Sequence, residues 1–461
     1  MLDSVLVWIE KNRRAWLDDL KQWLNIASVS AVSAHDNDTA AAAEWAMSYL
    51  RGVGLRVRRI ATPRHPCVLA ATPDDLCPPD APSILFYGHY DVQPPDPLEK
   101  WTSPPFTATV RDGKIYARGA SDDKGQVFCH LAALMAWKQI AGEIPVRLTV
   151  LLEGEEEIGS INLAGVIKDH ADELKTARAL IVSDSNQFAP GIPAITTGLR
   201  GLVYYQIELT AAAEDLHSGV YGGAVANPAN ALTQMLGRLH DSQGRVAVGG
   251  FYDDVVLPEE SIRRQWAQLP FDENEFVRRL GVPQVFGEAG FSTLERRWCR
   301  PTLDINGLTS GYQGPGAKTV LPCSASAKVS MRLVPNQDPD RISTAFEHCL
   351  DILKPPGVRL TRTRLNATPA AVTQIDSPAI TAAAAALEIG FGKSPVFMRE
   401  GGSIPVVNWF KELLGIDSVL IGFGLPDDNL HAPNEKFNLD CLYGGIRTAA
   451  ALYDRLGGIH P

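Results

Sequence analysis

Four apolar segments of the chain each lead into histidine or acidic residues. Residues 84–88 precede His89, residues 146–152 precede an acidic run, residues 179–183 precede Asp184, and residues 418–424 lie ahead of His431. Short apolar segments bounded by turn residues are typical of buried strands. In open α/β sheets, ligands bind beyond the carboxyl ends of the strands. We therefore expect a metal site of oxygen and nitrogen ligands at one edge of a sheet.

The secondary-structure pattern changes twice along the chain. A helical pattern covers residues 2–26, and helical and strand patterns then alternate to about residue 198, which predicts a mostly parallel sheet covered on both faces. Residues 199–372 contain alternating strands and amphipathic helices, which favour a sheet with helices on one face. After residue 373 the first pattern returns. We therefore predict an α/β fold with a discontinuous metal-binding catalytic domain (1–198 and 373–461) and an inserted α+β domain (199–372).

Composition excludes several classes of function. The net charge is −10, from 43 basic and 53 acidic side chains, which argues against nucleic acid or an anionic membrane as the main partner. The chain lacks an apolar run long enough to span a membrane and the pattern of a signal peptide. Its seven cysteines are scattered, without a CxxC pair, as expected for reduced thiols. We therefore expect a cytoplasmic protein.

Two pairs of residues have both a metal-binding and a structural interpretation. His89 and Asp91 face the same side of an extended segment, so Asp91 could fix the histidine tautomer while the other ring nitrogen binds a metal. Taken alone, the pair also fits a turn with an acidic cap. Asp122 and Asp123 precede a helical pattern, where acidic residues commonly satisfy free amides. Two adjacent carboxylates could equally bridge two cations.

The acidic run at residues 153–157 has the same ambiguity, because most such runs are solvated. Here the run directly follows a mostly apolar strand of seven residues. Carboxylates crowded at a buried strand end repel one another unless protonated or neutralised. One could bind a metal while its neighbour takes a proton from water. Asp184 and His431 are credible ligands only together with the others. Histidine and carboxylate ligands at separate strand ends, with a spare glutamate beside a ligand glutamate, together indicate a two-metal hydrolase.

The motifs resemble the M20 family of metallopeptidases, and most closely its carnosinase and Cys-Gly dipeptidase branch. The matching stretches occur in family order at residues 88–94, 118–125, 153–160, 215–219, 316–322, 399–405 and 430–431. The resemblance implies a zinc-aminopeptidase-like catalytic domain and an inserted lid or dimerisation domain. Five metal ligands are implied, which are His89, Asp122, Glu157, Asp184 and His431.

The resemblance also implies roles for these residues. His89 and Asp184 would hold one divalent cation, Glu157 and His431 would hold the second, and Asp122 would bridge the two. The cations would be zinc or manganese. The peptide bond between Asp122 and Asp123 is expected to be cis.

Further residues gain roles from the resemblance. Glu156 would be the general base that activates a metal-bridging water, Asp91 would orient His89, and His217 would act across a homodimer interface on the partner's site. Four residues would bind substrate, which are Arg332, Thr319, Ser403 and Glu400.

We therefore expect an enzyme that hydrolyses small dipeptides with a free C-terminal carboxylate. Two alternatives on the same scaffold remain open, an N-acyl-amino-acid amidohydrolase and a glutamate-releasing carboxypeptidase. A catalytically silent relative that uses the fold for binding is a third. Ile158 and the Ala432-Pro433 pair depart from the residues usual in close relatives, which leaves the substrate open.

Overall fold

The computed structural model describes residues 1–402 and 405–459. The strands, in chain order, are β1 (Arg56–Ile60), β2 (Cys67–Ala71), β3 (Ser83–His89), β4 (Thr109–Arg111), β5 (Lys114–Tyr116), β6 (Arg147–Glu153), β7 (Leu180–Val182), β8 (Ala194–Leu199), β9 (Gly201–Thr210), β10 (Leu216–His217), β11 (Thr302–Ser310), β12 (Val320–Leu321), β13 (Ser324–Leu333), β14 (Arg359–Thr368), β15 (Ala371–Val372), β16 (Val396–Glu400), β17 (Ser418–Ile421) and β18 (Lys436–Asn438).

The helices, in chain order, are α1 (Leu2–Lys11), α2 (Arg13–Leu24), α3 (Asp36–Val53), α4 (Lys124–Ala141), α5 (Leu163–Asp169), α6 (Ala171–Leu174), α7 (Ser218–Tyr221), α8 (Pro228–Leu236), α9 (Glu260–Ala267), α10 (Glu273–Leu280), α11 (Thr293–Trp298), α12 (Pro339–Leu353), α13 (Pro378–Phe391), α14 (Pro405–Leu414) and α15 (Leu439–Gly457). Four short 3-10 helices cover Ser33–His35, Asp74–Leu76, Leu98–Lys100 and Glu156–Ile158. The helical pattern of residues 2–26 is therefore two helices, because Asn12 leaves helical geometry at φ −107° and ψ 16°.

The central sheet has the strand order β1-β2-β6-β3-β7-β17-β8-β15, and β16 also pairs with β8. The pairings among β6, β3, β7 and β17 are parallel, whereas those of β1 with β2, β2 with β6, β17 with β8 and β8 with β15 are antiparallel. The α/β prediction is confirmed, and among the pairings whose direction the structure describes, only those of the four central strands are parallel. The link of residues 61–66 between β1 and β2 is too short for the crossover that parallel strands require.

The central strands end in the polar residues that the sequence singles out. β3 ends at His89, β6 ends at Glu153, and Asp184 lies two residues beyond β7. Because these strands are parallel, their carboxyl ends meet at one edge of the sheet. Helices α4 and α15 are buried along most of their length in the same hydrophobic core, which fixes this edge against a packed layer.

A small antiparallel sheet, β18-β5-β4, joins two segments that are distant in sequence. Lys436 of β18 pairs with Tyr116 of β5. The loop of residues 117–123, between β5 and α4, therefore lies beside the loop of residues 425–435 that leads into β18. These two loops, here called the aspartate loop (117–123) and the histidine loop (425–435), contain Asp122 and His431.

A separate four-stranded antiparallel sheet has the order β11-β13-β9-β14. Alternate residues of β9 are buried, and they share a second hydrophobic core with residues of α8 and α12. Helices α9, α10 and α11 lie within the polar stretch 251–310. This is the α+β arrangement that the period-two pattern predicts.

Packing divides the chain into two compact units. The first comprises Met1–Thr197, Thr373–Met398 and Pro405–Pro461, and the second comprises Gly198–Val372 and Arg399–Ile404. Within the described residues, no helix has the length and apolar character needed to cross a membrane.

Candidate metal centre

His89 is the completely buried last residue of β3. Its Nδ1 lies 3.1 Å from the Asp91 carbonyl oxygen and 3.4 Å from Asp91 Oδ1. Its Nε2 lies 3.1 Å from Asp122 Oδ1 and 4.0 Å from Asp184 Oδ2. One ring nitrogen is therefore held by Asp91, while the other faces two carboxylates.

Asp122 is located between two histidines. Its peptide bond to Asp123 is cis, as expected. Its second oxygen, Oδ2, lies 2.9 Å from His431 Nε2, which is also 3.3 Å from Glu157 Oε2. Gly125 lets the first turn of α4 fold against the aspartate loop, because a Cβ there would lie 1.9 Å from the Ala120 carbonyl oxygen.

The five predicted ligands therefore form two donor groups with one shared member. Their donor atoms lie within 4.8 Å of one another in each group, and the groups are His89, Asp122 and Asp184, and Asp122, Glu157 and His431. We call the group with His89 the first donor group and the group with His431 the second donor group.

The donor groups fit divalent cations. Donor atoms that share a tetrahedral zinc ion at about 2.0–2.1 Å lie about 3.3 Å apart, and the four separations of 2.9, 3.1, 3.3 and 4.0 Å scatter around that value. The buried oxygens Glu157 Oε1 and Asp123 Oδ1 have no hydrogen-bond partner among the described residues. Histidine nitrogens together with carboxylates suit zinc and manganese.

The electrostatics of the site reflect crowded negative charge. Burial and the Asp122 charge raise the pKa of Glu157 to about 7 and the pKa of Asp184 to about 6. Burial alone would raise the pKa of Asp122, but hydrogen bonds with His431 and His89 outweigh it and lower that pKa. Hydrogen bonds with Asp122 and Glu157 raise the pKa of His431 to about 10. Divalent cations would neutralise this excess of carboxylates.

The acidic run separates into two structural and two site-facing glutamates, and Glu153 is the first structural one. Its Oε1 accepts hydrogen bonds from the Tyr87 hydroxyl at 2.5 Å and the Ser160 hydroxyl at 2.8 Å. Burial raises the pKa of Glu153 to about 8. Its two hydroxyl donors therefore tie the end of β6 to β3 and to the segment that follows the acidic run.

Glu155 is the second structural glutamate. Its buried carboxylate accepts hydrogen bonds from the Thr62 hydroxyl at 2.7 Å, the His65 amide at 3.0 Å and the Asn162 side chain at 2.7 Å. These bonds anchor the loop that carries the next two glutamates.

Glu156 and Glu157 face the donor groups. The Asp91 carboxylate accepts hydrogen bonds from their backbone amides at 3.2 and 3.1 Å. Burial raises the pKa of Glu156 well above its ordinary value, the His89 charge opposes that rise, and the Asp184 charge adds to it. Asp91 therefore contacts the segment with Glu156 and Glu157 as well as His89.

His217, predicted to act on the partner's site, lies beside the predicted substrate residue Thr319 in the second unit. His217 pairs with Val320 between β10 and β12, and the Ser218 amide donates to the Thr319 carbonyl oxygen at 3.1 Å. The exposed His217 side chain accepts a hydrogen bond at Nδ1 from the Gly219 amide at 3.0 Å. Its Nε2 has no hydrogen-bond partner within the part of the chain that the structure describes.

Two further predicted substrate residues, Arg332 and Glu400, also belong to the second unit. Arg332 is on β13 and Glu400 ends β16. Burial raises the pKa of Glu400, and the charges of Arg297 and Arg200 lower it. Ser403 lies outside the described residues.

Sequence reasoning missed Glu435 and Asp428, two buried carboxylates of the histidine loop. Glu435 pairs with Arg118 at 2.7 Å, and Asp428 accepts a hydrogen bond from the Ser121 hydroxyl at 2.9 Å. The only sequence signal was their proximity to His431. Asn429, His431 and Asn434 have φ of 57°, 58° and 62°, a conformation that costs of order 1 kcal/mol per residue and requires support from its surroundings.

A mixed α/β sheet whose strand ends assemble two donor groups around a shared carboxylate is typical of dinuclear metallohydrolases. The chain matches the Peptidase family M20/M25/M40 over residues 85–455. It therefore belongs to this family.

Three similar proteins place the chain within the family. It is 34% identical to the Cys-Gly metallodipeptidase DUG1 of Saccharomyces cerevisiae, covering 87% of this chain and 84% of that protein. The crystal structure of human carnosine dipeptidase 1 superposes with a TM-score of 0.85 at 29% identity, covering 99% of both chains. The M20 family metallo-carboxypeptidase Sso-CP2 from Sulfolobus solfataricus gives a TM-score of 0.85 at 31% identity, covering 96% of this chain and 99% of that chain.

Proposed function

We propose that the protein hydrolyses the peptide bond of small dipeptides with a free C-terminal carboxylate, using two divalent cations. The observation that carries the proposal is the pair of donor groups sharing Asp122, with Glu156 beside them. The similarity to proteins named as a Cys-Gly metallodipeptidase and a carnosine dipeptidase supports the same activity. Its cytoplasmic location is part of the proposal, and the seven free cysteines are consistent with it.

The proposed mechanism divides the work between the cations and the protein. Cations of zinc or manganese, held by His89 and Asp184 and by Glu157 and His431 with Asp122 shared, would polarise the scissile carbonyl and lower the pKa of the attacking water. Glu156 takes the proton from that water and passes it to the leaving amine. The raised pKa of Glu156 favours holding the proton between the two steps, and the charge of the cations would favour the ionised carboxylate that accepts it.

Asp91 positions the other participants. Its carbonyl and carboxylate oxygens lie beside Nδ1 of His89, which would leave Nε2 free to bind a cation. Its carboxylate also accepts the amides of Glu156 and Glu157. Asp91 therefore links a proposed ligand of the first donor group to the proposed base.

Residues of the second unit would bind the substrate. Arg332 would hold the C-terminal carboxylate, because a planar guanidinium suits bidentate contact. Thr319 and Ser403 would add hydrogen bonds, and Glu400 would bind the free ammonium. The positive charges of Arg297 and Arg200 lie near Glu400 and would compete with the substrate ammonium for it. The variant Glu400→Gln tests this role. An unchanged Michaelis constant for free-amine dipeptides would show that Glu400 does not bind the ammonium.

The active form would be a homodimer in which His217 of one protomer stabilises the developing oxyanion in the site of its partner. The test mixes two inactive variants, Glu156→Ala and His217→Ala, under conditions that exchange subunits. One site of each mixed dimer would then contain both residues, so activity should recover to about a quarter of the wild-type value. No recovery in proven mixed dimers would contradict action across the interface.

The substrate class is tested with a free-amine dipeptide, its N-acetylated twin and a tripeptide with the same C-terminal residue. Preference for the free-amine dipeptide supports the dipeptidase. Preference for the acetylated twin would support an N-acyl-amino-acid amidohydrolase. Preference for the tripeptide would support a carboxypeptidase, the activity named for Sso-CP2.

The silent-relative alternative is tested on the metal-loaded protein. Glu156→Ala should abolish turnover and keep both cations. Full activity in this variant would remove Glu156 as the base, and a wild-type protein that holds no cations would contradict the whole proposal.

A further inference from the structure

Glu435 connects the histidine loop to the aspartate loop. Its side chain is completely buried. Oε1 accepts hydrogen bonds from the amides of Ser121 at 3.0 Å and Asp122 at 3.1 Å. Oε2 accepts from the Gly119 amide at 3.0 Å and from Arg118 Nη1 at 2.7 Å. Four donors of one loop therefore converge on one carboxylate of the other.

The chemistry of these contacts requires a carboxylate. All four partners of Glu435 are N–H donors, so a glutamine amide could not satisfy them in either orientation. Its NH₂ group would meet two amide donors in one orientation, and an amide and a guanidinium in the other. Arg118 is also buried, and Glu435 is the acidic side chain that pairs with it.

A second connection joins the same two loops. Asp428 Oδ2 accepts hydrogen bonds from the Ser121 hydroxyl at 2.9 Å and the Leu425 amide at 2.8 Å. Its other oxygen, Oδ1, lies 2.5 Å from Lys436 Nζ. The histidine loop, with its positive-φ residues, is therefore held at Asp428 and at Glu435, and both residues attach it to the aspartate loop at or next to Asp122.

We propose that Glu435 is a positioning residue that fixes Asp122 and the histidine loop as one unit and thereby sets the cation affinity of both donor groups. The inference rests on the proposed function only in that the groups bind cations. Glu435 touches none of the predicted ligand side chains. It acts through the amide of Asp122, which belongs to both groups, and through the loop of His431, which belongs to the second.

The structure offers a matched control in Glu155. Like Glu435, it is a buried glutamate whose carboxylate accepts several hydrogen bonds beside the site. It anchors the acidic loop, which supplies Glu157 to the second donor group only. A general loss of packing would act alike in both variants, whereas the proposed role predicts different patterns of cation loss.

The experiment titrates Zn²⁺ and Mn²⁺ separately into metal-free full-length protein against a chromophoric chelator. Glu435→Gln should weaken both binding steps by about 10–100-fold, the usual effect of removing an outer partner of metal ligands. Glu155→Gln should weaken one step and leave the other within about threefold of wild type, well below that range. Unchanged affinities in Glu435→Gln, or the loss of only one step, would overturn the proposal.

A second variant guards against misfolding caused by an unpaired Arg118. The double variant Arg118→Gln, Glu435→Gln removes the buried charge together with its partner, yet still leaves the Ser121 and Asp122 amides without their carboxylate. It should show the same weakening of both steps, and wild-type affinities in it would overturn the proposal. If the wild-type protein binds no cations, the proposed function fails instead, so the two failures are distinguishable.

Discussion

The two histidines of the candidate centre are held in different ways. His89 ends a central strand, is completely buried, and has its Nδ1 held by Asp91. His431 lies in a loop with φ of 58°, its side chain is 55% exposed, and only its Nε2 has partners among the described residues. One side of the site thus belongs to the sheet, and the other depends on a loop that distant residues hold in place.

The difference indicates that the two donor groups are not equivalent. A ligand whose second ring nitrogen is held loses less freedom when it binds a cation. The first donor group should therefore bind its cation more tightly than the second. Four predictions test this comparison.

The largest effect is expected for Asp122→Ala, which removes the member common to both groups. Both cations should be lost, and kcat/KM should fall by roughly three orders of magnitude, because cations contribute several kcal/mol of transition-state stabilisation. Metal analysis and steady-state kinetics measure these changes. The control is Asp427→Ala, because Asp427 lies in the histidine loop and pairs with Lys436. Retention of either cation in Asp122→Ala would contradict a shared ligand.

The second prediction compares His89→Ala with His431→Ala in metal-free protein. Removing the buried His89 side chain should lower the free energy of unfolding by about 2–4 kcal/mol, through a cavity and unpaired hydrogen-bonding groups. Removing the exposed His431 side chain should change it by less than about 1 kcal/mol. Urea unfolding with a chelator present measures both, and equal losses would break the comparison.

The third prediction concerns the order and pH dependence of cation binding. A chelator should remove one cation first, and His431→Ala should keep the tighter one with wild-type affinity. Because the pKa of His431 is about 10 in the metal-free protein, protons compete with the weaker cation at neutral pH. Its affinity should rise about tenfold per pH unit between pH 7 and 9. A weaker step that His431→Ala leaves intact would contradict the assignment.

The smallest effect on activity is expected at Glu153, which lies opposite His89 in the pairing of β3 with β6. Its pKa rises from 4.5 to about 8 on folding because of burial. Between these values the folded state binds more protons than the unfolded state, so Glu153 lowers the stability as the pH rises through that window. In Glu153→Gln this contribution should vanish while kcat/KM stays within about twofold, since the residue touches no substrate. Unfolding curves from pH 5 to pH 9 provide the measurement, and an unchanged pH dependence would contradict the buried carboxyl.

The sequence predicts the strands and their polar ends well, because apolar segments followed by His89, Glu153 or Asp184 leave few other arrangements. It does not predict the antiparallel outer strands of the sheet, since strand patterns do not encode pairing direction. Nor does it reveal the break at Asn12, where helical spacing continues across the interruption. The cis bond after Asp122 was expected from the family resemblance alone.

Within the site, the acidic run shows where local pattern stops being informative. Glu153, Glu155, Glu156 and Glu157 are chemically identical in sequence, and only their partners separate the supporting pair from the pair that faces the donor groups. Glu435 is harder still, because its partners lie more than 300 positions away. Long-range contacts of this kind leave no periodic signal.

The contact between Asp122 and Glu435 spans 313 positions, which has a consequence for biosynthesis. A ribosome that has just added Asp122 must still synthesise the whole second unit before it adds Glu435, whose carboxylate binds the Asp122 amide. Once Asp184 has been added, the nascent polypeptide holds four of the five proposed ligands but still lacks the loop with His431. If the proposed function holds, the ability to hydrolyse substrate is among the last properties that a newly made molecule acquires, and a product that ends before His431 should be inactive.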